Sequence, residues 1–149
     1  MTERLQIRIL AVLLAATAFA AVDQWVKLLV ATPDWAYHHR SAGWFLGSCV
    51  LFVGLTGLAM LPSLGVAAGA ALFAGGLLGN MMSATADRFD VPNPLLIGHQ
   101  SGIAFNVADV CIVTGNLVLM VACGVLAVRN RQRLDAWAEA SRTRLRKCC

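Results

Sequence analysis

Four acids stand in or beside long apolar stretches of this chain: Asp23, Asp87, Asp90 and Asp109. An ionisable side chain at membrane depth costs roughly 3 kcal/mol or more on insertion scales, so each marks a functional site by default. Asp109 lies in Phe105-Asn106-Val107-Ala108-Asp109 and has no basic residue within a helical turn. Asn106, three residues earlier, shares its helical face and can hydrogen-bond the same ligand or the same acid. Asp87 and Asp90 flank the end of an apolar run, with Arg88 between them. Asp23 and Lys27 fall one turn apart, a spacing that lets a pair neutralise itself inside a bundle.

Two carboxyl groups held close together cannot both ionise cheaply, so such a pair shares a proton. Aspartic proteolysis needs that arrangement: the ionised member takes a proton from water while the protonated member polarises the carbonyl under attack. Asp109 with Asp90 or Asp87 could supply it if the fold brings them together. No metal or other cofactor is called for. The histidines lack His-Glu-x-x-His spacing, and no Gly-x-Ser-x-Gly elbow stands out. Each residue also has a plainer role open to it: an interhelical ion pair for Asp23 with Lys27, a solvated loop for Asp87 with Arg88, an interhelical hydrogen bond for Asn106. Asp109 is the hardest to explain that way.

The elements that must position these groups are membrane spans. Of 149 residues 58% are hydrophobic and 13% charged, with a mean hydropathy of +0.69. That composition excludes an ordinary soluble domain, a disordered chain and most nucleic-acid binders. The net charge of +4 is concentrated in a tail holding Arg129, Arg131, Arg133, Arg142, Arg144, Arg146 and Lys147, as in a membrane-surface anchor.

A spanning helix needs about 20 mostly apolar residues. Residues 41–86 carry no charge, a length suited to two spans, and Leu61-Pro62-Ser63-Leu64-Gly65 supplies the break. The expected spans are about 9–31, 43–61, 64–82 and 103–128, followed by a basic cytoplasmic tail over 129–149. Arg4 and Arg8 before Ala18-Phe19-Ala20 would also suit a cleavable leader, but the hydrophobicity resumes after Lys27. Positive charge at both ends predicts cytoplasmic termini. The expected fold is therefore an all-α integral membrane four-helix bundle. A small extracytoplasmic loop should form a flap or shallow surface helix over Phe89 to Gly102. Cys148-Cys149 reads as the inert end of the tail, with lipidation as the alternative.

The constellation is more specific than its parts. Asp23-Gln24-x-x-Lys27, then Gly75-Gly76-Leu77-Leu78-Gly79-Asn80, then Phe105-Asn106-x-Ala108-Asp109 occur in that order. Together they resemble the lipoprotein signal peptidase (signal peptidase II) family over about residues 5–128, as a divergent member would. The resemblance implies a monomeric aspartic endopeptidase of the bacterial plasma membrane. Its substrates would be prolipoproteins, cut on the N-terminal side of a cysteine already carrying diacylglycerol, with signal peptides and membrane lipid as partners and no nucleic acid. It implies that Asp109 is one catalytic acid, that Asn106 and Asn80 support it, and that Asp23 and Lys27 stabilise the fold or position substrate. Counting back from Asn106 gives Asp90 as the second acid; counting forward from Asn80 favours Asp87, next to Arg88. The alternative is a non-catalytic relative that keeps the scaffold as a membrane binding or assembly protein.

Overall fold

The computed structural model describes residues 3–98, 102–131 and 135. The rest of the basic tail, with Cys148 and Cys149, lies outside them. Four helices are long and apolar enough to cross a membrane: α1 (Glu3–Leu29), α2 (Ala42–Gly57, continued by a 3-10 turn over Leu58–Met60), α3 (Leu64–Ala86) and α4 (Val107–Arg129). Helix α1 begins six residues before its expected start and runs unbroken through Ala18-Phe19-Ala20.

Their starts follow from capping. An N-cap side chain accepts one of the main-chain N–H groups that the first turn leaves without a partner. Ser41 Oγ accepts from Trp44 N at 3.1 Å and starts α2; Ser63 Oγ accepts from Val66 N and starts α3 just after Pro62. Asn106 starts α4 through a full capping box, its side chain accepting from Asp109 N while the Asp109 side chain accepts from Asn106 N. Helix α4 therefore begins at Val107, four residues later than the apolar run suggests. The residues in front of it, Ile103–Phe105, form a strand instead.

Helix α3 is the axis of the bundle. It packs along α1 and α4 and, over a shorter stretch, α2. In its most apolar window 56% of residues are buried, against 17% in each of the other three helices. Small residues permit this. A Cβ on Gly75 would lie 2.7 Å from Phe19 Cβ, and one on Gly79 would lie 2.8 Å from Asp23 Oδ2, so only glycine lets α1 approach so closely. The apolar core runs from Ala16 on α1 and Leu55 on α2 through Val66, Ala70, Ala74 and Leu77 to Leu119 on α4. The exposed faces of α1, α2 and α4 are themselves apolar, including Leu14, Val50, Val113 and Val121, as suits contact with lipid.

One end of the bundle carries two small antiparallel sheets. Strand β1 (Tyr37–His39) pairs with β2 (Asp90–Pro92), and β3 (Leu95–Ile97) pairs with β4 (Ile103–Phe105). Within the described part of Phe89 to Gly102, Asp90–Pro92 and Leu95–Ile97 are strands, so the surface helix, one of the two forms expected there beside a flap, is not what forms. Pro92 and Pro94 favour extended backbone in the residues before them, and the main-chain polar groups of the segment find partners across the sheets. Arg88 (φ 47°) and Phe89 (φ 72°) make the reversal from α3 into β2.

Candidate functional site

The end of the bundle that carries the sheets gathers the polar residues. At its base, Asp23 and Lys27 on α1 form an ion pair at 2.6 Å, both almost wholly buried. Asp23 Oδ1 also accepts the main-chain N–H of Ala108 at 2.8 Å, one of the first-turn groups of α4. Lys27 donates further to Ser83 Oγ at 3.0 Å and Asn80 Oδ1 at 3.3 Å. An ammonium has three N–H bonds, and all three are now committed. Gln24 adds bonds to the Gly79 carbonyl at 2.8 Å and to Ser83 Oγ at 3.1 Å. A buried charge without a partner is costly; here every charge at the base has one.

Above this base the side-chain amides form a chain. Asn80 Nδ2 donates to Asp109 Oδ1 at 3.0 Å. Asn106 Nδ2 donates to Asn80 Oδ1 at 3.0 Å and to Asn93 Oδ1 at 2.6 Å. Asn93 Oδ1 therefore faces Asn106, which leaves Asn93 Nδ2 to donate to His38 Nδ1 at 2.8 Å. His38 must then accept at Nδ1 and carry its proton on Nε2. Three asparagines from α3, the loop after β2 and the cap of α4 link a histidine on β1 to the carboxyl of Asp109. Asn80, Asn93 and Asn106 are each about 1% exposed or less, and buried polar groups of this kind need such partners.

Asp109 itself is half-buried. Its Oδ1 accepts from Asn80 and its Oδ2 from Asn106 N at 3.3 Å. It borders a cavity of about 270 Å³ that is otherwise lined by Phe105, Val110, Val113 and Thr114. Among the described residues no cation lies within 4.0 Å of it.

The two other acids are placed elsewhere. Asp90 is the cross-strand partner of His39 and accepts from His39 Nδ1 at 2.9 Å, with both side chains open to solvent. Side chains alternate between the faces of a strand. His39 and Asp90 therefore share one face of the β1–β2 sheet, and His38 and Val91 the other. Val91 is wholly buried, so Asp90 belongs to the outward face. Asn93, two residues on from Val91, keeps the inward phase. Asp87 closes α3 as its C-cap and is exposed, as is Arg88. The structure thus joins Asp109 with Asn80, Asn106, Asn93, Asp23 and Lys27 in one network, and the bonds of Asp90 and the position of Asp87 lie outside it.

Sequence reading passed over Asn93 and His38. The signal for Asn93 was the alternation Phe89-x-Val91-x-Asn93, which places a polar side chain in an apolar phase. Nothing local distinguishes His38 from His39; the register of β1 against β2 separates them. Arg40 was passed over as well. Its guanidinium stacks 5.2 Å above the Trp44 ring, and its buried Nε has no hydrogen-bond partner among the described residues. Among the described residues no group of three or more His, Cys, Asp or Glu side chains is gathered as metal ligands would be.

Two solved structures share this architecture. Both are described as bacterial membrane enzymes. One matches with a TM-score of 0.62 and 15% identity, over 80% of this chain and 90% of its own. The other has a TM-score of 0.55 and 17% identity, over 76% of this chain and 92% of its own. The likeness shows the fold. No protein-family model matches the chain, and no curated protein is significantly similar to it.

Proposed function

We propose that the chain is a multi-pass protein of the bacterial plasma membrane, related to the lipoprotein signal peptidases, that receives lipid-modified prolipoproteins at Asp109. Both termini lie in the cytoplasm in this reading, and the two sheets cover the outer end of the bundle as a flap. A substrate anchored by diacylglycerol in the outer leaflet then meets Asp109 along α4. The ordered polypeptide motifs around Asp23, Asn80 and Asp109 support the family, and so does a fold shared with bacterial membrane enzymes.

The geometry favours holding the substrate over cutting it. One observation carries this: the loop side chain linked to Asp109 through Asn106 and Asn80 is an amide, Asn93, rather than an acid. A shared proton needs two carboxyl groups within a few ångström, and an amide can neither take up nor release one. Asp109 could still act as a base toward water, but among the described residues no second carboxyl group is hydrogen-bonded to it to polarise the carbonyl.

The second reading is an aspartic endopeptidase that pairs Asp109 with Asp90. It is favoured by the position of Asp90 on β2, only three residues before Asn93. It requires Asp90 to leave His39 and turn to the inner face of the sheet. A single-turnover assay on a diacylglyceryl-modified prolipoprotein tests both. Binding that depends on Asp109, without a cleaved product, supports the holding role. Product that disappears in Asp109→Asn and in Asp90→Asn supports the endopeptidase. Absence of both binding and product removes the family reading.

A further inference from the structure

Two grooves of similar size open between the helices at the end of the bundle opposite the sheets, and both reach Ser63 at the start of α3. One, of about 470 Å³, lies between α1 and α3 and is headed by Arg8, whose guanidinium already donates to the Leu61 carbonyl. The other, of about 500 Å³, runs along α4 beside the start of α3 and ends at Arg129. The helices touch there through Gly65 and Ala122, which are too small to fill the space beside their contact. Leu117, Val121 and Val125 form its wall and are 57%, 67% and 46% exposed.

The side chains at its head offer donors. Ser63 Oγ accepts from Val66 N as the N-cap of α3, and its own O–H is left to donate. The last carbonyls of α4 are served by Asn130, whose main-chain N–H reaches Leu126 and Ala127 and whose Nδ2 donates to Leu126 O at 2.8 Å. Arg129 is therefore not needed as a cap, and among the described residues no carboxylate lies within 4.0 Å of it. The lining itself holds no acid. Around it, among the described residues, Arg4, Arg8, Arg129 and Arg131 stand against Glu3 and Asp135, a balance that favours an anion. From Arg129 back to Leu117 the helix rises about 18 Å, close to the ~15 Å hydrocarbon depth of a single leaflet.

We infer that this groove binds an anionic phospholipid, with one acyl chain laid along α4 from Val125 to Leu117 and the phosphate held by Arg129 and the Ser63 hydroxyl. The guanidinium fork matches two phosphate oxygens, and basic pockets between spanning helices take lipid headgroups in this way. A soluble phosphate would leave the apolar wall uncovered. In the orientation proposed above, the lipid belongs to the cytoplasmic leaflet. The groove lies at the far end of α4 from Asp109, and its ligand does not depend on what Asp109 does.

The test uses the full chain in phosphatidylcholine nanodiscs carrying a small fraction of phosphatidylglycerol, with native mass spectrometry counting the lipids that stay bound. Phosphatidylglycerol is expected to be preferred by about 5-fold or more, the scale of one basic contact. Arg129→Gln should bring the two lipids level, whereas Arg131→Gln, which removes the same charge outside the groove lining, should keep the preference. Val121→Trp, which fills the groove from the lipid side, should lower retention in a chain with unchanged helicity. Glycerol 3-phosphate, a headgroup without chains, should not displace the lipid. Equal losses in Arg129→Gln and Arg131→Gln overturn the inference, because they reduce the effect to general surface attraction. Displacement by glycerol 3-phosphate overturns it in favour of a soluble anion. Particles of two chains that separate in Val121→Trp overturn it in favour of a second copy in the groove. No preference in the unsubstituted chain, or retention unaltered by Val121→Trp, overturns it as well.

Discussion

Asp23 Oδ1 accepts the N–H of Ala108 at 2.8 Å, across a gap between α1 and the first turn of α4. The same carboxylate holds Lys27 at 2.6 Å. One acid therefore neutralises a cation and caps a helix that carries a second acid, Asp109, one residue further on. Asp23→Ala leaves a buried ammonium and a bare N–H, and is expected to destabilise the fold by about 3–5 kcal/mol. Thermal unfolding in mild detergent measures it. A loss below about 1 kcal/mol, the scale of an exposed pair, would show that the pair is solvated.

Gly79 faces the same pair. Gly79→Ala places a methyl group 2.8 Å from Asp23 Oδ2, a clash relieved either by turning the Asp23 carboxylate off its partners or by moving α1 away. The expected cost is roughly 1–3 kcal/mol. It should exceed that of Gly57→Ala, where a Cβ meets nothing within 4 Å. Equal unfolding midpoints for the two variants would contradict the close approach.

Asn93→Asp installs a second carboxyl group in the amide chain that leads to Asp109. Asn106 Nδ2 can donate to it as it does to the Asn93 carbonyl, and sharing a proton with Asp109 requires the two carboxyl groups to close the span that Asn106 and Asn80 now bridge. If the missing acid is what limits chemistry, cleavage of a diacylglyceryl-modified prolipoprotein should rise by about 100-fold. The double variant Asn93→Asp, Asp109→Asn should not gain it. Cleavage that stays at the starting level would place the obstacle elsewhere in the site.

Asp90→Asn removes only the solvent-open bond to His39. Stability should change by less than about 1 kcal/mol, and prolipoprotein retention should be unaltered. A large loss of retention would mean that Asp90 turns inward when substrate binds.

His38 orients the amides by accepting at Nδ1. An asparagine side chain can place a carbonyl oxygen near that position, whereas lysine can only donate. His38→Asn should therefore keep Asp109-dependent binding, and His38→Lys should lose about 10-fold or more through Asn93. Side-chain amide signals of isotope-labelled asparagine report the change directly.

How much was legible before folding depended on the range of the physics. Pro62, Ser63 and the uncharged run around them marked the break between α2 and α3, because capping and helix breaking are local. The one-turn spacing of Asp23 and Lys27 was enough to predict a pair. Asp109 could be singled out because a lone acid in an apolar run has few explanations. The extent of α4 could not be read from hydropathy: Ile103, Ala104 and Phe105 are as apolar as the helix that follows, and their pairing with Leu95–Ile97 made them a strand.

Composition, charge position and motif order settled by themselves that this is a membrane bundle with an acid near one end, since the free energy of burial in lipid acts on each residue separately. Which side chain faces that acid was decided only in three dimensions. A strand turns successive residues to opposite faces, so the register of β1 against β2 sent Asp90 out to His39 and Asn93 in to Asn106. A count along the chain carries no information about that register, because it is fixed by hydrogen bonds between segments some fifty residues apart.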